Sequence, residues 1–250
     1  MTILDAHLHL PYWGTDIDDK SRILLAKLDE HSIDYGIVIA DSLGESTIGT
    51  SEEIVRLAGK EKRLFAVIGV SPLAGINLHY VANTLDQKRA VGVKLYPGHE
   101  PFTLEDSRLI PLYEELEKRR VPLLVHTEWT KDGKAVPHPS EVARVARKFP
   151  DLPVVVCHCW KGNALEAVAT VAGLHNVYYE LSSMLEGDAR EAESLLSTLM
   201  QKAPSRVLFG SDYASCELDG QLEKLSKMVR GDARTKVLFE NANKLYRLNV

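Results

Sequence analysis

At 250 residues with 45% hydrophobic side chains, the chain is long enough for one large α/β domain with a sizeable core. A formal net charge of −5 lacks the basic excess that nucleic-acid binding requires, and no apolar run reaches the ~18 residues of a membrane span. The three cysteines contain no CxxC pair, which argues against a disulfide framework. The N-terminus shows no basic segment followed by a cleavable apolar one, so the expectation is a cytosolic protein with one domain over residues 1–250.

The first element is the stretch ILDAHLHL, residues 3–10, in which Asp5, His7 and His9 interrupt an apolar run at every second position. Residues two apart share one face of a β-strand, so the three polar side chains point the same way. Apolar, β-rich runs then recur along the chain. They are DYGIVIA from Asp34, LFAVIGV from Leu64, VGVKLYP from Val91, VPLLVHTE from Val121, LPVVVCHC from Leu152, NVYYELSS from Asn176 and RVLFGSD from Arg206. Between them lie stretches of helical periodicity such as DDKSRILLAKLDEHS, EDSRLIPLYEELEKRR, PSEVARVARKFP and DAREAESLLSTLMQKAP. The last thirty residues before Asn249 read as two further helices. No repeat, low-complexity tract or linker divides the chain.

Eight strands alternating with helices imply a parallel sheet, and at this length the closed form is a (β/α)8 TIM barrel. A doubly wound open sheet is the alternative, but the first strand runs into HLHLPYWG, without phosphate-binding glycines. Barrel chemistry sits at the C-terminal ends of the strands. Those ends carry His7 and His9 on strand one, Lys94 on strand four, His126 on five, His158 on six and Asp212 on eight. Strand seven adds Glu180 and Ser182; strands two and three offer only Asp41 and Ser71. Imidazole with carboxylate suits zinc, manganese, iron or cobalt, and burying such groups without a ligand is costly. The expectation is therefore a metal site, with zinc foremost among these ions.

His-x-His closing strand one, followed by His126, His158 and Asp212, resembles the amidohydrolase superfamily over essentially the whole chain. The phrases GVKLYPG, LLVHTE, VLFGSD and ENANKLYRL are most similar to its amidohydrolase-related branch of compact metal-dependent hydrolases and aminocarboxymuconate-semialdehyde-type decarboxylases. In a two-metal scheme the resemblance implies that Lys94 is carbamylated and bridges the ions. His7, His9 and Asp212 then hold one ion, and His126 and His158 the other. In a one-metal scheme it implies His7, His9, Asp212 and His126 as ligands, with His158 free as a base or polarising group and Lys94 free to grip a carboxylate. Both schemes stay open, as does a Schiff-base role for Lys94. Asp212 would accept the proton of a metal-activated water. The activity implied is hydrolysis of a small amide, ester or lactone; the alternative is nonoxidative decarboxylation of an unsaturated or aromatic acid. A non-catalytic barrel that keeps a metal for stability or ligand binding is a third reading.

Other residues carry weaker expectations. Asp5 either orients a ligand histidine or caps backbone amides. Alternation places Cys157 and Cys159 outward, toward the helices, flanking an inward His158. Trp13, Trp129 and Trp160 fall near the mouth and either line it or pack as a lid. Trp160, just after Cys157–Cys159, departs from the family pattern, in which glycines often follow this histidine. Tyr96, His99 and Glu128 are candidate substrate contacts, Cys216 lies near the mouth, and His31, His79, His138 and His175 have no assigned role. The expected partner is a small-molecule substrate, with monomer and homodimer both open for the chain itself.

Overall fold

The computed structural model describes residues 1–42, 46–186 and 189–250. Its main sheet has eight strands, all parallel: β1 (Leu4–Leu8), β2 (Tyr35–Ile39), β3 (Leu64–Gly69), β4 (Ala90–Leu95), β5 (Leu123–His126), β8 (Val154–Cys157), β9 (Val177–Glu180) and β10 (Val207–Leu208). They pair in chain order, and a short antiparallel hairpin of β6 (Glu128–Trp129) and β7 (Ala135–Val136) interrupts the sequence after β5. The sheet curls until its two ends meet. The Ala6 N–H donates to the Phe209 carbonyl and the Asp212 N–H to the His7 carbonyl, each at 2.9 Å. This is the TIM barrel the alternation implied, and each predicted strand is present.

A helix follows each barrel strand: α1 (Ile17–Glu30), α2 (Ser51–Lys60), α3 (Leu78–Leu85), α4 (Ile110–Arg119), α5 (Pro139–Lys148), α6 (Ala164–Val171), α7 (Ala189–Lys202) and α8 (Gln221–Met228). Asp188, with which the α7 stretch opens in the sequence, lies outside the described residues. Local chemistry fixes where these helices start. Asp16 caps α1 by accepting the Asp18 and Asp19 N–H groups, and Thr50 with Glu53 forms a reciprocal capping box on α2. Two histidines without a predicted role have structural ones here: His138 caps α5, and His31 at the end of α1 sits 3.0 Å from Asp219. No described helix is long and apolar enough to cross a membrane.

Strand alternation separates two apolar layers. Ile37, Ile39, Phe65, Val67, Leu124, Val155 and Leu208 cluster inside the barrel with Leu245 and Tyr246 of the closing helix. Val93, Val125, Val154 and Val156 face outward onto Leu112, Leu116, Val142 and Val168. Register then decides the parity at the mouth. His126 pairs with Cys157 and Cys157 with Glu180, two residues beyond the inward Leu124, Val155 and Tyr178. Cys157 therefore faces inward, contrary to the outward position expected from the sequence. Only Cys159 joins the outer layer, where its thiol donates to the Glu180 carbonyl at 3.4 Å. The reason is backbone geometry: the strand stops at Cys157, and His158, Cys159 and Trp160 all take left-handed φ values of 65°, 47° and 54°. That turn, unusual for non-glycine residues, aims His158 at the mouth from a position of the wrong parity.

Candidate metal centre

The six residues singled out at strand ends, His7, His9, Lys94, His126, His158 and Asp212, all line one cavity of about 410 Å³. Tyr96, His99, Asp41 and Glu100 share its wall, whereas none of the three tryptophans is among its described lining residues. Trp160 is fully buried and its indole N–H donates to the Pro137 carbonyl at 2.8 Å, so it fastens the hairpin over the barrel. Trp13 is half exposed and packs edge-on against Tyr12 and Tyr213.

At the floor, three ligand atoms converge. His7 Nε2 and His9 Nε2 are 3.3 Å apart, and Asp212 Oδ1 lies 3.5 Å from the first and 3.4 Å from the second. The far side of each ring settles which nitrogen carries hydrogen. His7 Nδ1–H donates to Glu180 Oε2 at 2.7 Å, and His9 Nδ1–H to the Ile39 carbonyl at 3.0 Å. Both Nε2 atoms are then lone-pair acceptors facing a carboxylate oxygen, with no hydrogen to share among the three. A cation resolves that repulsion. A tetrahedral ion with bonds of about 2.0–2.2 Å spans ligand edges of about 3.3–3.6 Å, the size of this triangle. The donor set fits a divalent metal.

The surrounding groups hold this set rigid. Glu180, fully buried on β9, accepts from His7 and from the Ser182 hydroxyl at 2.6 Å, and its other oxygen accepts the Ser182 N–H at 2.6 Å. Ser182 Oγ is thus left to accept from His158 Nδ1–H at 2.8 Å, which turns the His158 Nε2 lone pair to the cavity. Glu180 was visible in the sequence only as a strand-end carboxylate; its place as the orienter of His7 emerges from the pairing of β9 with β10 and the closure of the barrel onto β1. The other half of the expectation for Asp5 is the one realised: its Oδ1 accepts the His7 and Ser211 N–H groups, both at 3.0 Å. Ser183, which sequence reasoning missed, donates to Asp212 Oδ2 at 2.8 Å. Thr127 was missed as well; its hydroxyl accepts the Trp160 N–H at 3.0 Å and ties the left-handed turn to β5.

Electrostatics match this arrangement. Burial, reinforced by Lys94, pushes the His7 imidazole well below its ordinary range, and burial brings His158 down to about 3. Both rings are neutral near pH 7 and able to use a lone pair. Burial alone would raise the Asp212 carboxyl, but the imidazoles of His9, His7 and His158 around it hold it well below the usual carboxylate range. Burial raises Asp5 to about 7.

His126 and Lys94 stand apart from the triangle. His126 Nε2 lies 3.1 Å from His99 Nε2, and these two with Glu128 make a separate group of possible ligands. Lys94, one of the residues that line the cavity, is fully buried, and its Nζ has no hydrogen-bond partner among the described residues. Its ammonium lies 5.3 Å from the centre of the Tyr96 ring. Cys216 Sγ stands 3.6 Å from Asp212 Oδ2, and burial raises its thiol to about 12, so it is not primed as a nucleophile.

A replacement of Glu180 by Gln keeps the volume but removes an acceptor from His7, Ser182 or both. It is expected to weaken metal binding by about 10–100-fold with the fold retained, as measured by competitive chelator titration. An unchanged affinity would show that Glu180 does not orient His7.

An eight-stranded parallel barrel with histidines and an aspartate gathered at its C-terminal mouth defines the class. The amidohydrolase family model matches residues 62–248, three quarters of the chain, and the protein belongs to the amidohydrolase family. His7 and His9 precede the matched stretch, so their place in the site rests on geometry. Among solved structures, the chain is similar to an uncharacterized TIM-barrel protein from Bordetella bronchiseptica, with 20% identity, 99% of each chain covered and a TM-score of 0.80. A candidate 2-pyrone-4,6-dicarboxylic acid hydrolase from Pseudomonas putida matches at 17% identity, covering 100% of this chain and 98% of its own, with a TM-score of 0.78. A dihydroxybenzoic acid decarboxylase from Polaromonas, solved with bound manganese and an inhibitor, matches at 15% identity, 100% and 98% coverage, and a TM-score of 0.71. At such identities the likeness concerns the fold. No curated protein matches the sequence.

Proposed function

We propose that this protein is a metal-dependent hydrolase that adds water to the carbonyl of a small, carboxylate-bearing ester, lactone or amide. The observation that carries the reading is the triangle of His7 Nε2, His9 Nε2 and Asp212 Oδ1, three acceptors of metal-ligand spacing on the floor of a substrate-sized cavity. His7, His9 and Asp212 would hold a divalent ion there, zinc or manganese, which when bound would supply a Lewis acid and a more acidic water. Asp212, held in place by the Ser183 hydroxyl, would be the acceptor for the proton of the attacking water. His158, whose Nδ1–H is fixed by Ser182, presents Nε2 to the same space and is placed to pass a proton to the leaving group. Lys94 is the only lysine or arginine among the described lining residues, and its unpartnered ammonium fits a substrate carboxylate.

We favour an ion held on the floor by His7, His9 and Asp212 without His126, and Lys94 as a free ammonium and not a bridging carbamate, because His126 turns its Nε2 to His99. Carbamylation of Lys94 predicts a different result on replacement. With a free ammonium, Lys94→Met raises KM for carboxylated substrates at least about tenfold and leaves metal content unchanged. With a bridging carbamate, the same change removes a metal equivalent and most of kcat. Decarboxylation is the second reading, favoured by the manganese-bound decarboxylase of the same fold. Against it, no arginine is among the described residues of the cavity wall. The test is a panel of carboxylated lactones, esters, amides and hydroxybenzoates with metal-reconstituted protein, followed for acid release and for carbon dioxide. Turnover of a lactone, ester or amide supports the proposal; carbon dioxide release alone refutes it.

A further inference from the structure

We propose that His99, His126 and Glu128 form a second site for a divalent transition-metal ion, separate from the His7–His9–Asp212 triangle and independent of any change to Lys94. Each residue comes from a different segment: His99 from the loop after β4, His126 from the end of β5, and Glu128 from the β6–β7 hairpin. One ligand atom from each falls within 4.8 Å of the other two. The two Nε2 atoms are 3.1 Å apart and Glu128 Oε2 is 3.9 Å from that of His126. The imidazole planes cross at 72° with centroids 4.3 Å apart, so two ring edges are turned toward one shared point.

Packing holds these segments together. Gly98, at φ 95°, brings the β4 loop against the hairpin; a Cβ there would stand 2.9 Å from Val136 Cγ1 and 3.0 Å from Glu128 Oε1. The Tyr96 ring backs both imidazoles, 6.5 Å from His126 and 6.1 Å from His99. Two imidazoles and one carboxylate suit cobalt, nickel, copper or zinc. Because His99 is exposed and the other two half-buried, positions on the ion stay open to water and the ion exchanges readily. The His158 ring lies between the two groups, 4.8 Å from His126 and 5.1 Å from His7. The second ion therefore stands at the rim of the same cavity, where it can take a substrate oxygen that the first cannot reach.

The test is a cobalt titration of chelator-stripped protein in degassed, bicarbonate-free buffer, read by calorimetry and visible absorption. The expected result is two ions per chain, a tighter and a weaker one. His99→Ala removes the weaker ion only, Glu128→Gln weakens it, His9→Ala removes the tighter only, and Lys94→Met keeps both. An unchanged stoichiometry in His99→Ala overturns the proposal, and shows the 3.1 Å contact to be a plain hydrogen bond between imidazoles. A second ion that needs bicarbonate and vanishes in Lys94→Met overturns it in favour of a carbamate site. An unchanged stoichiometry in His9→Ala would instead count against the triangle on the cavity floor, so the two claims fail separately. Thermal melts of each variant confirm that the barrel is retained.

Discussion

Replacing Asp212 by Asn is expected to lower kcat/KM by about 10³-fold or more, equivalent to about 4 kcal/mol of transition-state stabilisation. Asn has nearly the same shape, so the hydrogen bond from the Ser183 hydroxyl can persist and the barrel should melt at the same temperature. What the amide cannot do is hold a negative charge or take a proton. In the proposed mechanism Asp212 has both tasks: Oδ1 closes the triangle with His7 and His9, and Oδ2 accepts from Ser183 on the side toward His158, 3.7 Å from its Nδ1. Steady-state kinetics on whichever ester, lactone or amide the wild-type protein turns over, at saturating metal, read the effect. A loss smaller than tenfold would remove Asp212 from the chemistry and leave it a role in binding alone.

The second large effect concerns a residue with no side chain. Gly210, two residues before Asp212, lies under the inner face of the site, where an added Cβ would collide with Glu180 Oε1 and stand 2.8 Å from His7 Cβ. Neither obstacle can swing away. Glu180 is held by His7 and Ser182, and the His7 Cβ is fixed by the strand itself. Gly210→Ala is therefore expected to cost about 2–3 kcal/mol, a fall in melting temperature of about 4–12 °C for a chain of this size. It should also weaken metal binding, because the relief available is a shift of Glu180 away from His7. Differential scanning calorimetry and chelator competition on one preparation check both halves. A variant with wild-type stability and affinity would mean that the strand relaxes more easily than its hydrogen bonds to β1 suggest.

The sequence carried the fold through its period. Apolar runs of strand length alternating with amphipathic ones have few solutions at 250 residues, and ILDAHLHL announces the first side of the site because a strand repeats every two residues. The same rule misled at LPVVVCHC. Alternation is valid only while the strand lasts, and three left-handed residues after Cys157 reverse which side chains reach the mouth. Nothing local in a Cys-His-Cys-Trp run signals such a turn; the hydroxyl of Thr127, thirty-three residues before Trp160, helps to hold it. The pairing of His99 with His126 and the fastening of the hairpin by Trp160 were illegible for a related reason. They depend on how loops fold over the barrel, and loop paths have no period to read. Glu180 was legible as a residue but not as a partner, since its link to His7 crosses 173 positions of sequence.

The barrel joins its first strand to its last through a handful of backbone hydrogen bonds, and β10 is only two residues long. The candidate ligands sit astride that same join, with His7 and His9 on one lip and Asp212 on the other. An ion held there acts as a clasp, fastening the beginning of the chain to a point more than two hundred residues further on. At a free concentration a hundred times its dissociation constant it would add about 2.7 kcal/mol to stability. The protein's resistance to unfolding and its readiness for catalysis would then rise and fall together with the supply of metal.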